Sequence, residues 1–328
     1  MRNIRHVTVP EKLIGSGLVQ ASDERAHGGL RVSYSLSSRI NRVPVEWFGY
    51  CDPGGEMSEE QIKPLNRGMS WMLFIASGLV FTVGIQLFVL SEYTEHYFAW
   101  TVRSPLTAAF LGANYWAAFL LEYLSSREEQ WDRARMAIPG VFVFTLLTIL
   151  PTLIGLPYYH LNQFAFVWVA VYLIVPWVLG TLWFMQWRSP GVDGPRVAPL
   201  HPLMRGTLLI QGLSFLGMIG ATIFSGGDWW PFPGESLYIL VWLLAVAVVF
   251  LQAVYENCHL RLRSAYAGIT CFGVFHLIAI ARYSEFLDFD GTSAWVYVAF
   301  SAWLMVTGSV GSGLAWRAKQ AELSPSTS

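Results

Sequence analysis

The sequence predicts an all-α integral membrane protein with eight transmembrane helices. Three observations lead there. Hydrophobic residues make up 54% of the chain and charged residues only 13%, whereas soluble domains carry about 25% charge. Eight apolar runs are each long enough to cross a hydrocarbon core of about 30 Å as helix. The loops between them alternate between basic and acidic. Helix is the required conformation because lipid satisfies no backbone N–H or C=O group.

The runs fall at Trp71–Leu90, Leu106–Leu124, Met136–Leu156, Phe164–Phe184, Leu203–Phe224, Leu237–Val254, Ala265–Ala281 and Ala294–Ala315. Charge, Pro or Gly bounds each one. The seventh is the weakest, being short and interrupted by His276. Mean hydropathy is +0.44. The 15 Trp and 14 Tyr suit rings that rest at the membrane–water interface.

Basic residues accumulate on the cytoplasmic side of membrane proteins. With the N-terminus inside, the inner flanks carry Lys63, Arg67, Arg127, Arg133, Arg135, Arg188, Arg196, Arg205, Arg261, Arg263, Arg317 and Lys319. The outer loops carry Arg103 and Arg282, with the acids Glu92, Glu95, Asp228, Glu235, Glu285, Asp288 and Asp290. A miscounted helix would invert this alternation from that point on. The expected location is therefore a cell membrane of the bacterial inner-membrane kind, with both termini cytoplasmic. Net charge of −1 gives no basic field for nucleic acid.

Residues 1–67 read as a polar cytoplasmic tail, 68–190 and 200–317 as two four-helix membrane halves, and 318–328 as a disordered tail. Within the first tail, Trp47, Phe48 and Tyr50 suggest packing on the bundle or docking of a partner. Cys51, Cys258 and Cys271 form no CxxC pair and read as free thiols. The loop SGGDWWPFPGES reads as an interfacial cap.

The two halves resemble each other in a register that sets Val143-Phe144 against Val274-Phe275. Four helices per half is an even number, so both copies point the same way. That makes a parallel repeat, of the kind that leaves a cleft at its seam. The stretch from LYILVWLLAVAVV through LRLRSAYAGITCFGVFHLIAIARY to the helix after DFDGTSAW resembles the small four-helix DoxX-like membrane proteins. The resemblance covers that stretch of each copy and implies architecture rather than chemistry. The first half departs from it, with Pro151 standing near the position that Arg282 takes in the second.

Ionisable and amide side chains within a bilayer are the candidates for function. His276 is foremost, since neutral His can bind a ligand, relay protons or bond a neighbouring helix. Asn114 and Gln252 join it as candidate contacts for a ligand, beside the helix-bonding amide Gln211. Glu122 and Glu256 lie at helix ends, where Glu122 is expected to pair with Arg127 or Arg133 and Glu256 with Arg261 or Arg263. Arg282 is expected to pair with Glu285 or Asp288. Gly212, Gly217 and Gly220, and Gly308, Gly311 and Gly313, predict close helix–helix contacts. Pro139, Pro151 and Pro176 predict kinks.

No phosphate-binding loop, dinucleotide fingerprint, zinc motif or nucleophile elbow is present in the sequence. The first expectation is a non-catalytic subunit or scaffold of a larger membrane complex, with the lipid bilayer and other proteins as partners. The second is a protein that binds or transports a hydrophobic small molecule (a lipid, quinone or pigment) at the seam. A membrane enzyme acting on lipid or quinone is the third, and it lacks an arranged acid, base or metal.

Overall fold

The structure is a computed structural model that describes residues 19–26, 29–36, 61–224 and 236–323. The chain divides into two compact units, Met1–Glu59 and Glu60–Ser328.

The first unit contains an antiparallel hairpin of β1 (Val19–Ala26) and β2 (Gly29–Leu36), with Val19 opposite Leu36 and Ala26 opposite Gly29. The segment read from sequence as a polar tail thus carries a short element of its own. Its signal is the alternation of Leu30, Val32, Tyr34 and Leu36 with other residues at the strand period. Trp47, Phe48, Tyr50 and Cys51, and the loop around Trp229, lie outside the described residues.

Among the described residues, the second unit is built on eight long helices. They are α1 (Arg67–Gly84, prolonged by a π-helical turn at Ile85–Val89), α2 (Pro105–Ser126), α3 (Ile138–Gly155), α4 (Gln163–Arg188), α5 (Pro202–Phe224), α6 (Ser236–Glu256), α7 (Arg263–Arg282) and α8 (Thr292–Leu323). Local chemistry sets several starts. Asn66 accepts from the Gly68 N–H at 2.7 Å ahead of α1, and Asn162 accepts from the Ala165 N–H at 2.9 Å ahead of α4. Pro105 opens α2 where its missing N–H costs nothing. Pro139 sits likewise in the first turn of α3, so it starts that helix instead of kinking it; Pro151 and Pro176 lie inside α3 and α4.

Among the described residues, seven helices are long and apolar enough to cross a membrane: all except α2. Eight were expected on apolarity. The difference has a physical reason. Asn114 and Glu122 lower the apolarity of α2, and 15 of its 22 residues are buried against protein. Its composition answers to the bundle interior.

The helices pack in a closed order: α1 on α2, α2 on α7, α7 on α8, α8 on α5, α5 on α6, α6 on α3, α3 on α4, and α4 back on α1. Two of the interior contacts are made by glycine. A Cβ on Gly268 of α7 would sit 3.0 Å from the Ala117 carbonyl and 3.4 Å from Leu121 of α2. A Cβ on Gly140 of α3 would sit 2.5 Å from Val249 and 3.3 Å from the Ala245 carbonyl of α6. Gly140 and Gly268, Ala117 and Ala245, and Leu121 and Val249 are separated by one and the same offset in residue number.

The glycine stripes are only partly in contact. Gly273 of α7 lies against the Met305 backbone, and Gly308 and Gly311 of α8 lie against Thr270 and Tyr266. Gly212 meets Phe250, but Gly217, Gly220 and Gly313 have open space where a Cβ would be. Close contact, expected along both stripes, is made by Gly212, Gly308 and Gly311 and not by the other three.

Candidate binding cavity and its surroundings

At one end of the bundle an ion network joins the two halves. Arg135, just before α3, holds Glu256 at the end of α6 at 2.5 and 2.8 Å, and reaches Asp193 of the α4–α5 connection at 2.7 Å. Arg261 holds the other face of Glu256 at 2.9 Å and Asp132 at 3.0 Å, and also donates to the Gly194 carbonyl. Arg263 pairs with Glu128 at 3.2 Å. Each half's glutamate is thus gripped by the other half's arginine, Glu256 by Arg135 and Glu128 by Arg263. Glu128 and Glu256, and Arg135 and Arg263, stand at the same offset as the glycines. Burial works against the Arg135 charge, but its hydrogen bonds to Glu256 and Asp193 outweigh that and raise its pKa.

These contacts correct the expected partners. Glu256 pairs with Arg261, one of the two arginines expected, and takes Arg135 as well, which was not expected. Gln252, placed by sequence among the ligand-contacting amides, donates to Glu256 at 2.8 Å and belongs to this network. At the far end, Arg282 bonds the Phe88 carbonyl at 2.9 Å and approaches Glu92 at 3.5 Å, rather than pairing with Glu285 or Asp288. Phe88 lies in the π-helical turn that prolongs α1, so its carbonyl escapes the regular α ladder.

His276 and Asn114 are brought together. His276 Nε2 lies 2.9 Å from Asn114 Oδ1, and Nδ1 lies 3.0 Å from the Tyr297 hydroxyl. With Nε2–H donating to the amide oxygen, Nδ1 accepts from Tyr297. Both ring nitrogens are occupied, and Phe272 stacks on the ring at 4.0 Å. This is the arrangement of a histidine that bonds neighbouring helices, α2 and α8, to α7. Gln211 does the same between α5 and α8, donating to Thr307 at 2.9 Å. Among the described residues no three His, Cys, Asp or Glu side chains converge as metal ligands.

Between the ion network and the far end lies a cavity of about 70 Å³. A space of roughly 10–15 Å³ admits one water, so this one admits several waters or a stretch of hydrocarbon. It lies between α2, α3, α6 and α7, and its wall is almost wholly apolar. The lining includes Ala118, Phe144, Trp242, Val246 and Phe272. Ala118 and Val246, and Phe144 and Phe272, repeat the offset seen in the glycine contacts. Asn114 and Glu122 bring an amide and a carboxyl group to the wall, and the residues at that same offset from them, Trp242 and Phe250, are aromatic. The amide and the carboxyl group of the wall both come from α2.

Glu122 is 2% exposed, and its Oε2 has no hydrogen-bond partner among the described residues. The expected pairing with Arg127 or Arg133 is not made. Arg133 turns instead to Glu322, at 2.6 Å. Sequence flagged Glu122 as a residue near a helix end; packing places it on the cavity wall.

Val80 of α1 lines both this cavity and a groove of about 270 Å³ between α1 and α4, which also holds Tyr115 and Tyr172. The two tyrosine hydroxyls are 2.9 Å apart. No protein family, characterised protein or solved structure matches the chain.

Proposed function

We propose that this chain is an eight-span membrane protein of two parallel four-helix halves that binds a hydrophobic small molecule in the cavity between them. Seven helices are apolar enough to span, and α2, at 22 residues, supplies the eighth. The distribution of arginine favours placing the Glu256 network, and both termini, on the cytoplasmic side.

Duplication is supported by the packing order. Exchanging α1–α4 for α5–α8 leaves the closed order of neighbours unchanged. It is also supported by the constant offset between equivalent contacts. That offset sets Phe144 against Phe272, whereas the paired Val-Phe dipeptides set Phe144 against Phe275. The two registers differ by nearly one helical turn, so the mismatched one still sets apolar faces against each other.

The observation that carries the binding reading is the cavity itself. It has an apolar wall drawn from both halves and one buried carboxyl that the protein leaves unpaired. Close-packed interiors seldom keep such a space, and a buried polar atom without a partner costs about 1–3 kcal/mol.

Native mass spectrometry of protein released gently from its own membranes tests the reading. Wild type is expected to retain a small-molecule mass. Ala118→Phe and Val246→Phe, which fill the cavity from opposite walls, are expected to lose it. Retention of other proteins in fixed ratio, with no small molecule, would favour the subunit or scaffold reading instead.

A further inference from the structure

We infer that the bound molecule carries a single hydroxyl on an otherwise apolar chain, and that Glu122 is the residue that recognises it. The inference rests on the cavity being a binding site. It deepens that reading by naming the class of ligand.

Glu122 lines the cavity at 2% exposure with Oε2 unpartnered. The polar side chains around it bond one another or other groups, and none meets Oε2. Ser125 donates to Ser264 at 3.0 Å, Ser126 donates to the Tyr123 carbonyl at 2.7 Å, and Arg263 holds Glu128. Tyr115 and Tyr172 bond each other. The other polar lining residue, Asn114, has its Oδ1 held by His276. No protein donor meets Oε2, so its complement is left for a ligand in the cavity to supply.

The surroundings narrow what that complement is. An ammonium group brings three donors, and the cavity wall offers no set of acceptors to match them. A carboxylate or phosphate would set negative charge against a carboxyl group in an apolar wall. A hydroxyl has one donor and can also accept, so it satisfies Oε2 without bringing a charge or a surplus of donors against the apolar wall. The counterpart of Glu122 in the second half is Phe250, so a second polar group would meet an aromatic ring. About 70 Å³ does not house a long chain, but Val80 is a wall shared with the groove of about 270 Å³ between α1 and α4. The apolar tail runs into that groove, with the hydroxyl at Glu122.

The test is equilibrium binding of radiolabelled 1-dodecanol and radiolabelled 1-fluorododecane to the full-length protein in phosphatidylcholine nanodiscs, corrected with empty nanodiscs. The two probes have nearly the same shape, and only the alcohol is a good hydrogen-bonding partner. One hydrogen bond of about 1.4 kcal/mol is a tenfold preference. Wild type is expected to prefer the alcohol about tenfold. Glu122→Gln, which keeps a donor and an acceptor, is expected to retain a preference, and Glu122→Leu to bind both probes alike. Equal binding of both probes to wild type would overturn the hydroxyl inference and leave the cavity reading standing. A preference that survives in Glu122→Leu would remove Glu122 as the recognising residue. Binding of neither probe would count against the cavity reading itself.

Discussion

His276 on α7 and Asn114 on α2 are joined across the two halves of the chain by a buried hydrogen bond of 2.9 Å between Nε2 and Oδ1. Hydrogen bonds between helices in membranes average about 0.6 kcal/mol in double-mutant cycles. We expect the His276→Ala and Asn114→Ala cycle, read by denaturation in mixed micelles, to give a coupling near that size, up to about 1.7 kcal/mol. A coupling of zero would mean that the pair does not join the helices.

Glu256 is the hub of the ion network, fully buried between Arg135 and Arg261. Removing one member of a buried ion pair strands its partner and costs about 3–5 kcal/mol. Glu256→Gln is expected to lower stability by that order. Glu322→Gln, which touches a pair that is partly exposed, is expected to cost roughly 0–1 kcal/mol. Equal losses in the two variants would contradict the placement of Glu256 at the centre of the network.

Glycine substitutions separate contact from open surface. Gly273→Ala forces α7 away from the Met305 backbone and the Ser301 carbonyl of α8, at a cost of about 1–3 kcal/mol. Gly217→Ala meets nothing within 4 Å and is expected to be neutral or slightly stabilising. Melting temperatures of the two variants, measured side by side, check this.

The least apolar helix decides the span count. Arg103 and Arg127 stand exposed at the two ends of α2. Single cysteines at these positions, in a background lacking Cys51, Cys258 and Cys271, are expected to react with a membrane-impermeant maleimide from opposite sides of sealed membranes. Labelling from the same side would remove α2 as a span and invert the orientation of every later helix.

Much of the architecture was legible because hydrophobic runs and helix-capping residues act locally. Asn162 caps α4 by bonding Ala165, less than one turn away. The partners were not legible, because they are set by which helices become neighbours. Arg135 and Glu256, like Arg282 and Phe88, meet from opposite halves of the chain. Their residue types fit many pairings, and only the packing order selects one. His276 and Asn114 were both singled out from sequence, since polar groups in apolar helices stand out by composition. That they bond each other, while Gln252 turns to Glu256, depends on geometry that composition does not contain. Glu122 shows the same limit: sequence found the carboxyl group, and only the fold shows that it is left without either expected arginine.

The central claim is that the seam between the halves holds a hydrophobic small molecule. An electron cryomicroscopy map of the protein in lipid nanodiscs, prepared without delipidation, tests it most directly. The account predicts non-protein density that begins at Glu122 between α2, α3, α6 and α7 and continues past Val80 into the groove between α1 and α4. A cavity closed by collapsed side chains, or filled only by separate water peaks, would contradict it.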